Sequence, residues 1–205
     1  VKLYLVRHGQ TPANVAKKLD TALPGPPLTE LGREQARQLA EKLATEPVQA
    51  VYASHATRAQ QTAAPLAEAL DLPVERVEGV HEIVVGDLEG RNDQAAIEQY
   101  MSVVRAWTRG ELHVPMPGGE TGEQARDRFT TAIRDLTRRH DFTRSTGVVV
   151  LVSHGGLIRL GAEWLAPNVR PELADQGLIP NTGIVELETG LDGRWQCLSW
   201  VGMPM

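Results

Sequence analysis

Two short stretches of the chain repeat one another. Leu3-Tyr4-Leu5-Val6-Arg7-His8-Gly9 and Val149-Val150-Leu151-Val152-Ser153-His154-Gly155 each run an apolar segment straight into a polar residue, a histidine and a glycine. In parallel α/β sheets ligands sit beyond the carboxyl ends of the strands, so two histidines delivered there would face one another across a single pocket. A third apolar run, Ala50 to Ala53, ends in Ser54-His55, and the helix after it begins near Arg58. Arg7, His8, Arg58 and His154 would then put up to four cationic donors in one cleft. Charges of one sign repel unless an anion lies between them, and a dianionic phosphoryl group supplies that anion. Guanidinium forks match its oxygens in pairs, glycine lets backbone N–H groups approach, and the helix start after Gly155 adds a favourable dipole. Each residue alone has a plainer reading, as a hydrogen-bonded structural histidine or a solvated arginine. Their combination is what points to phosphate.

The elements that would carry these residues follow from the apolar pattern. Leu3 to Val6, Ala50 to Ala53 and Val148 to Val152 read as buried strands. Ala36, Leu39, Ala40 and Leu43 form one helical face after a Thr29 N-cap, and Ala59, Thr62, Ala63, Leu66 and Leu70 form another after Thr57. Ala125, Phe129, Ile133 and Leu136 mark a third helix, and Leu157 to Leu165 a fourth. Strand and helix alternate, so the fold class is α/β with a mostly parallel sheet. Ile184 to Leu187 and Trp195 to Trp200 flank Asp192-Gly193, the pattern of a hairpin. Residues 86–120 are less regular: a helix near Gln94 to Trp107, then Pro115-Met116-Pro117-Gly118-Gly119. They read as a small cap inserted into one domain spanning 1–205. Met101, Trp107 and Met116 could line an apolar part of the pocket or simply pack.

Composition narrows the function. The 205 residues carry 21 basic and 26 acidic side chains, a net charge of −5, which argues against a nucleic-acid partner. Cys197 is the only cysteine, so no internal disulfide and no cysteine-based zinc site is expected, and packing is its expected role. The apolar start before Arg7-His8 is too short for a signal peptide, and no run of about 18 apolar residues exists to span a membrane. The cytoplasm is the expected location.

Five motifs in order carry a resemblance: Arg7-His8-Gly9-Gln10-Thr11 with Asn14; Ser54 to Thr62 containing Arg58; Glu82-Ile83-Val84-Val85-Gly86-Asp87-Leu88-Glu89-Gly90; Pro117-Gly118-Gly119-Glu120; and Ser153-His154-Gly155. Together they resemble the histidine phosphatase superfamily, also called the phosphoglycerate mutase-like family, over almost the entire chain. The resemblance implies a three-layer α/β/α core with helices on both faces of the sheet, and His8 as nucleophile. Neutral imidazole, with an ordinary pKa of about 6.5, can attack phosphorus near pH 7, and the phosphohistidine is hydrolysed in a second step. A backbone carbonyl taking the other ring N–H would hold the tautomer. Arg7, Arg58 and His154 would bind the equatorial oxygens, with His154 best as a cation.

Glu82, otherwise an ordinary surface glutamate, becomes the general acid for the leaving group and the base for water, which calls for a raised pKa or a proton carried in by the phosphate. Asn14 would hydrogen-bond a phosphoryl oxygen or cap a helix. Thr11 and Gly155 are secondary contacts, and His55 and His81 belong to the rim or the structure. No cofactor is implied. A metal held by His8, His55, His81 and His154 would be opposed by Arg7 and Arg58 and lacks a carboxylate cluster. Pro117-Gly118-Gly119-Glu120 lacks the Gly-Lys-Ser/Thr ending of a P-loop.

A phosphohistidine can pass its phosphoryl group to water or to a second hydroxyl. The short region after Glu82, and the absence of the tyrosine-bearing mutase signature at Glu89-Gly90-Arg91-Asn92-Asp93, favour hydrolysis of a small phosphorylated metabolite. Phosphoglycerate mutase-type transfer and a non-catalytic phosphate-sensing or protein-binding domain are the alternatives. Residues 17–25 depart from the family's usual pattern. Lys17, Lys18 and Arg91 point weakly to an extra anionic feature on the substrate. A monomer or a homodimer fits equally.

Overall fold

The first strand, β1 (Lys2–Arg7), sends Leu3 and Leu5 to one face of the sheet and Tyr4 and Val6 to the other, and all four are buried. A strand apolar on both sides needs helices on both sides. In the computed structural model, which describes residues 1–142, 146–175 and 177–205, those helices are present. After β1 come α1 (Pro12–Val15), α2 (Glu30–Leu43), β2 (Val48–Ala53), α3 (Thr57–Ala69), β3 (Val74–Arg76) and a 3-10 turn (Gly86–Leu88). Then follow α4 (Gln94–Thr108), α5 (Gly122–Arg139), β4 (Val148–Ser153), α6 (Gly155–Leu165) and α7 (Pro171–Ala174). The chain closes with β5 (Ile184–Thr189), β6 (Trp195–Trp200) and β7 (Met203–Pro204).

The seven strands lie in the order β3-β2-β4-β1-β5-β6-β7. The first four are parallel, and β5 to β7 run antiparallel, so the parallel half is the half that carries crossover helices. One layer packs Leu39, Ala40 and Leu43 of α2 and Ala59, Ala63 and Leu66 of α3 against Tyr4, Val6, Val150 and Val152. The opposite layer packs Phe129, Ile133 and Leu136 of α5 and Leu157, Ile158 and Leu160 of α6 against Leu3, Leu5, Val149 and Leu151. This is the expected three-layer α/β/α architecture.

Central placement of β1 and β4 explains why the two histidine stretches matter. Their register pairs Arg7 with Ser153, and β2 beside β4 pairs Ala53 with Val152. Ser54, His154 and His8 therefore leave three adjacent parallel strands at the same edge.

Local details differ from the sequence reading in three places. Helix α3 has Ala56, not Thr57, at its N-cap, with no side-chain cap. Ser54 Oγ takes the Ala56 N–H, and the Thr57 N–H donates to the Pro24 carbonyl, so the amides are satisfied from elsewhere. The inserted 86–120 segment is also part of the core on one side: Val103, Val104 and Trp107 of α4, with Met116, join the α5/α6 cluster. Trp107 and Met116 are 2% and 0% exposed and pack, and neither they nor Met101 lines the cleft. The C-terminal hairpin forms as expected, with β5 reaching two residues further, to Thr189, and Cys197 is buried in the core. Among the described residues no helix is long and apolar enough to cross a membrane.

Candidate active site

At the carboxyl edge of the parallel strands a cleft is lined by Arg7, His8, Thr11, Asn14, Arg58, Glu82 and Gly155. His154 stands immediately behind, its ring centroid 5.3 Å from that of His8. All eight residues singled out in the sequence thus converge, although His154 is fully buried rather than on the wall.

His8 donates Nδ1–H to the Gly9 carbonyl at 2.7 Å, which leaves Nε2 with the lone pair. Arg58 Nε points at that Nε2 from 3.3 Å. Burial, and after it the Arg58 charge, push the His8 pKa down to about 3, so the ring is neutral at pH 7. His154 is likewise held well below the ordinary histidine value by burial, then by Arg58 and His8. His8 is neutral, as a nucleophile requires, but the expectation of a charged His154 is corrected: of up to four cationic donors the site holds two guanidinium groups beside two neutral imidazoles. The reason is that a fully buried ring beside two arginines cannot keep a proton without an anion.

Ser54 fixes the second ring. Its Oγ accepts the Ala56 N–H and lies 2.8 Å from His154 Nε2. With Ser54 giving its hydroxyl hydrogen to Nε2, the ring proton sits on Nδ1. That Nδ1 is buried and has no partner, and the same is true of Arg7 Nε and Arg58 Nη1. Other atoms of the two arginines are anchored, Arg7 Nη1 on the Ile179 carbonyl at 2.6 Å and Arg58 Nη2 on the Asp20 carbonyl at 3.2 Å. Arg7 Nε and, on that tautomer, His154 Nδ1–H are thus buried donors awaiting acceptors, whereas Arg58 Nη1 lies 4.0 Å from the Asp20 carboxylate; a buried N–H without an acceptor is costly unless a ligand completes it.

Glu82 comes from the loop between β3 and α4. Its Oε1 accepts N–H groups from Ile83 (2.9 Å) and Leu157 (3.0 Å), and Oε2 accepts one from Gly156 (3.1 Å). The start of α6 thus serves Glu82 directly, and the expected dipole contact to phosphate narrows to Gly155. Gly156 leaves room here, because a Cβ would lie 2.8 Å from both Glu82 Oε1 and the Tyr100 hydroxyl and would push those side-chain ends aside. The Glu82 loop is tied down by Arg128 of α5, which donates to the carbonyls of Gly79, His81 and Glu82 and pairs with Glu120 at 2.6 Å. Glu120 in turn accepts the Val84 N–H.

Asn14 takes the capping role and also stands at the cleft. It closes a capping box with Thr11 at the start of α1, its Oδ1 accepting from Thr11 N and from Asn181 Nδ2, while its residue still lines the cleft. His55 and His81 do not line the cleft. The loop before α2 does, through Lys18, Leu19, Asp20 and Thr21, and it is pinned by Glu89, which accepts from Thr21 N, Thr21 Oγ1 and Ala22 N. Gly25, at φ +74°, lets this loop close on Arg58, whose Nη1 an added Cβ would strike. Of the three cations read as substrate-facing, only Lys18 lines the cleft; Arg91 is tied to Asp93 at 2.7 Å on the exposed side. Sequence reasoning missed Tyr100 and Arg159 on the cleft wall, and Ser54 and Arg128 behind it. For Arg159 the signal was helical spacing, four residues after Gly155. Among the described residues no group of three His, Cys, Asp or Glu side chains is placed to hold a metal ion.

Known proteins resemble the chain over most of its length. A PE-PGRS family protein of Mycobacterium tuberculosis is 35% identical over 98% of the chain, which spans only 36% of that protein's length. Phosphoserine phosphatase 1 of Hydrogenobacter thermophilus is 32% identical over 75% of the chain and 71% of its own. The solved structure of a mycobacterial glucosyl-3-phosphoglycerate phosphatase with VO3 superposes with a TM-score of 0.82, at 28% identity, over 97% of this chain and 98% of that one. The model of the histidine phosphatase superfamily (branch 1) matches residues 3–202. On that match, and on the order in which the histidines, arginines and Glu82 arrive at one sheet edge, the chain belongs to the histidine phosphatase superfamily.

Proposed function

We propose that the chain is a metal-independent phosphomonoesterase that hydrolyses a small phosphorylated metabolite through a phosphohistidine on His8. The observation that carries this reading is the neutral His8, its Nδ1–H fixed on the Gly9 carbonyl and its Nε2 met by Arg58 Nε, with Arg7 Nε and His154 Nδ1 buried and without hydrogen-bond partners.

In the first step His8 Nε2 attacks phosphorus as the ester P–O bond breaks. The phosphoryl oxygens take the hydrogen bonds of Arg7, Arg58 and His154, helped by the Asn14 amide, the Thr11 hydroxyl and the Gly155 N–H. Charge that develops on those oxygens in transfer meets donors already in place. Glu82 passes a proton to the leaving oxygen. Three backbone N–H groups hold its carboxylate in place, and the proton it passes on enters with the phosphate monoanion. In the second step water attacks phosphorus, Glu82 takes its proton, the P–N bond breaks with its electron pair returning to Nε2, and Glu82 hands the proton to the departing phosphate, leaving His8 neutral again.

The test is release of phosphate from p-nitrophenyl phosphate in the presence of EDTA, with inhibition by vanadate. Retention of that activity in His8→Ala would overturn the assignment. Incubation with 3-phosphoglycerate and a bisphosphoglycerate primer separates hydrolysis from mutase transfer by product: phosphate for the one, isomer for the other. A purely phosphate-sensing domain would bind vanadate and release nothing.

A further inference from the structure

The turn at residues 180–183, which leads into β5, grips the end of β1 and has no part in the chemistry above. The Gly183 N–H closes it on the Pro180 carbonyl at 2.8 Å. Thr182 N–H donates to the Arg7 carbonyl at 2.9 Å, and the Gly183 carbonyl accepts the Arg7 N–H at 3.1 Å. Thr182 holds φ at +59°, in the left-handed region that a β-branched residue rarely adopts. Such a conformation persists only where the surroundings over-determine it, and here the bonds to Arg7 do so. The turn is therefore a fixed platform, and Asn181 is the side chain it presents to the site.

Asn181 joins two of the site's residues. Its Nδ2 donates to the His8 carbonyl at 3.0 Å and to Asn14 Oδ1 at 3.2 Å. A backbone carbonyl can only accept, so the Asn181 atom beside it is the amide nitrogen. The second hydrogen of that nitrogen then requires an oxygen on Asn14. Thr11 N–H, which can only donate, reaches the same Oδ1 at 3.0 Å. The polarity of the Asn14 amide is thus set twice, from the His8 carbonyl through Asn181 and from the Thr11 backbone. What remains for the cleft, which Asn14 lines, is Nδ2, a donor. Turned over, the same amide would offer its oxygen to a phosphoryl oxygen, and acceptor would face acceptor.

We propose that Asn181 is a positioning residue for phosphoryl transfer: by holding Asn14 Oδ1 it keeps Asn14 Nδ2 turned to the phosphoryl group. This rests on the phosphatase reading above and adds to it a residue that acts through Asn14.

A double-mutant cycle on the two asparagines makes the test. Asn181→Ala should lower kcat/KM for p-nitrophenyl phosphate by about tenfold, and Asn14→Ala, which removes the donor itself, by about 10²-fold. In the Asn14→Ala background Asn181→Ala should cost less than about twofold, because nothing is left for it to orient. The His8 carbonyl keeps the Thr182 N–H at 3.4 Å in either background. A residue that only supports the fold would lower activity by the same factor in both. Equal losses therefore overturn the proposal, as does wild-type kcat/KM in Asn181→Ala. Should Asn181→Ala fail to fold, the isosteric Asn181→Asp carries the same cycle: its loss should be about tenfold larger with Asn14 present than in the Asn14→Ala background, and equal losses count against it. Failure of the phosphatase reading looks different, as no phosphate released by the wild-type chain. The cycle is then read from calorimetric affinity for vanadate, where a loss confined to the Asn14 background supports the positioning role and equal losses overturn it.

Discussion

The two histidine stretches begin alike and end differently. Both run off central parallel strands in register, Arg7 opposite Ser153, and both deliver a buried imidazole to one edge of the sheet. Their surroundings then divide the labour. His8 gives a ring hydrogen to the Gly9 carbonyl and is left with a lone pair towards the cleft, which suits a nucleophile. His154 is backed by Ser54 and is left with an unpartnered nitrogen, which suits a donor to an oxygen. The backbone motif places a histidine, and the atom behind each ring decides what that histidine can do.

Substituting the two rings separately should expose this division. His8→Ala should reduce turnover of p-nitrophenyl phosphate to the detection limit, since it removes the imidazole that would accept the phosphoryl group. His154→Ala should lower kcat by about 10²- to 10³-fold, the usual consequence of removing one donor to a developing oxyanion, and should leave labelling of His8 slow but measurable. Equal losses in the two variants would erase the distinction. Ser54→Ala sharpens it further: with the ring free to take either tautomer, kcat should fall by about tenfold while the KM for the same ester changes little.

The smallest effect is on stability, where the two rings behave alike. Both have their pKa lowered by burial, so between the folded and unfolded values the unfolded chain binds more protons, and stability falls as pH falls below about 6.5. With the folded His8 value at about 3, that ring alone should lose about 2 kcal/mol between pH 6.5 and pH 5. Urea midpoints at the two pH values measure it. His154→Gln should make the decline shallower, and saturating inorganic phosphate should do the same, because an anion lets the rings hold a proton. A decline unchanged by both would mean that His154 is not the neutral buried group described here.

The strands, the helices and the converging residues were legible because their signals are local. Continuous apolar runs such as Leu3 to Val6 need only neighbouring residues, and the Arg-His-Gly and Ser-His-Gly endings mark where those runs stop. What stayed hidden depends on distance in space. The charge of His8 and His154 follows from burial beside Arg58, which no spacing reveals. Glu82 was found by its motif, but its place against Gly156 and Leu157, 74 and 75 residues away, belongs to the tertiary fold. Arg128 ties down the Glu82 loop from α5, and nothing in its own neighbourhood distinguishes it from the exposed arginines of the same helix. Arg91 shows the converse. Basic and close to a motif in sequence, it is consumed by Asp93 on the surface, whereas Arg159, embedded in an apolar helix, reaches the cleft.

The central claim is that phosphoryl transfer passes through His8 and not through His154. The most direct measurement is rapid quenching of the wild-type chain with ³²P-labelled phosphoserine or p-nitrophenyl phosphate at alkaline pH, followed by peptide mapping. Acid-labile, alkali-stable label on the peptide that contains His8, formed and lost fast enough to account for turnover, is the predicted result. Phosphate release with no label on that peptide, or with label on the peptide containing His154, would contradict it.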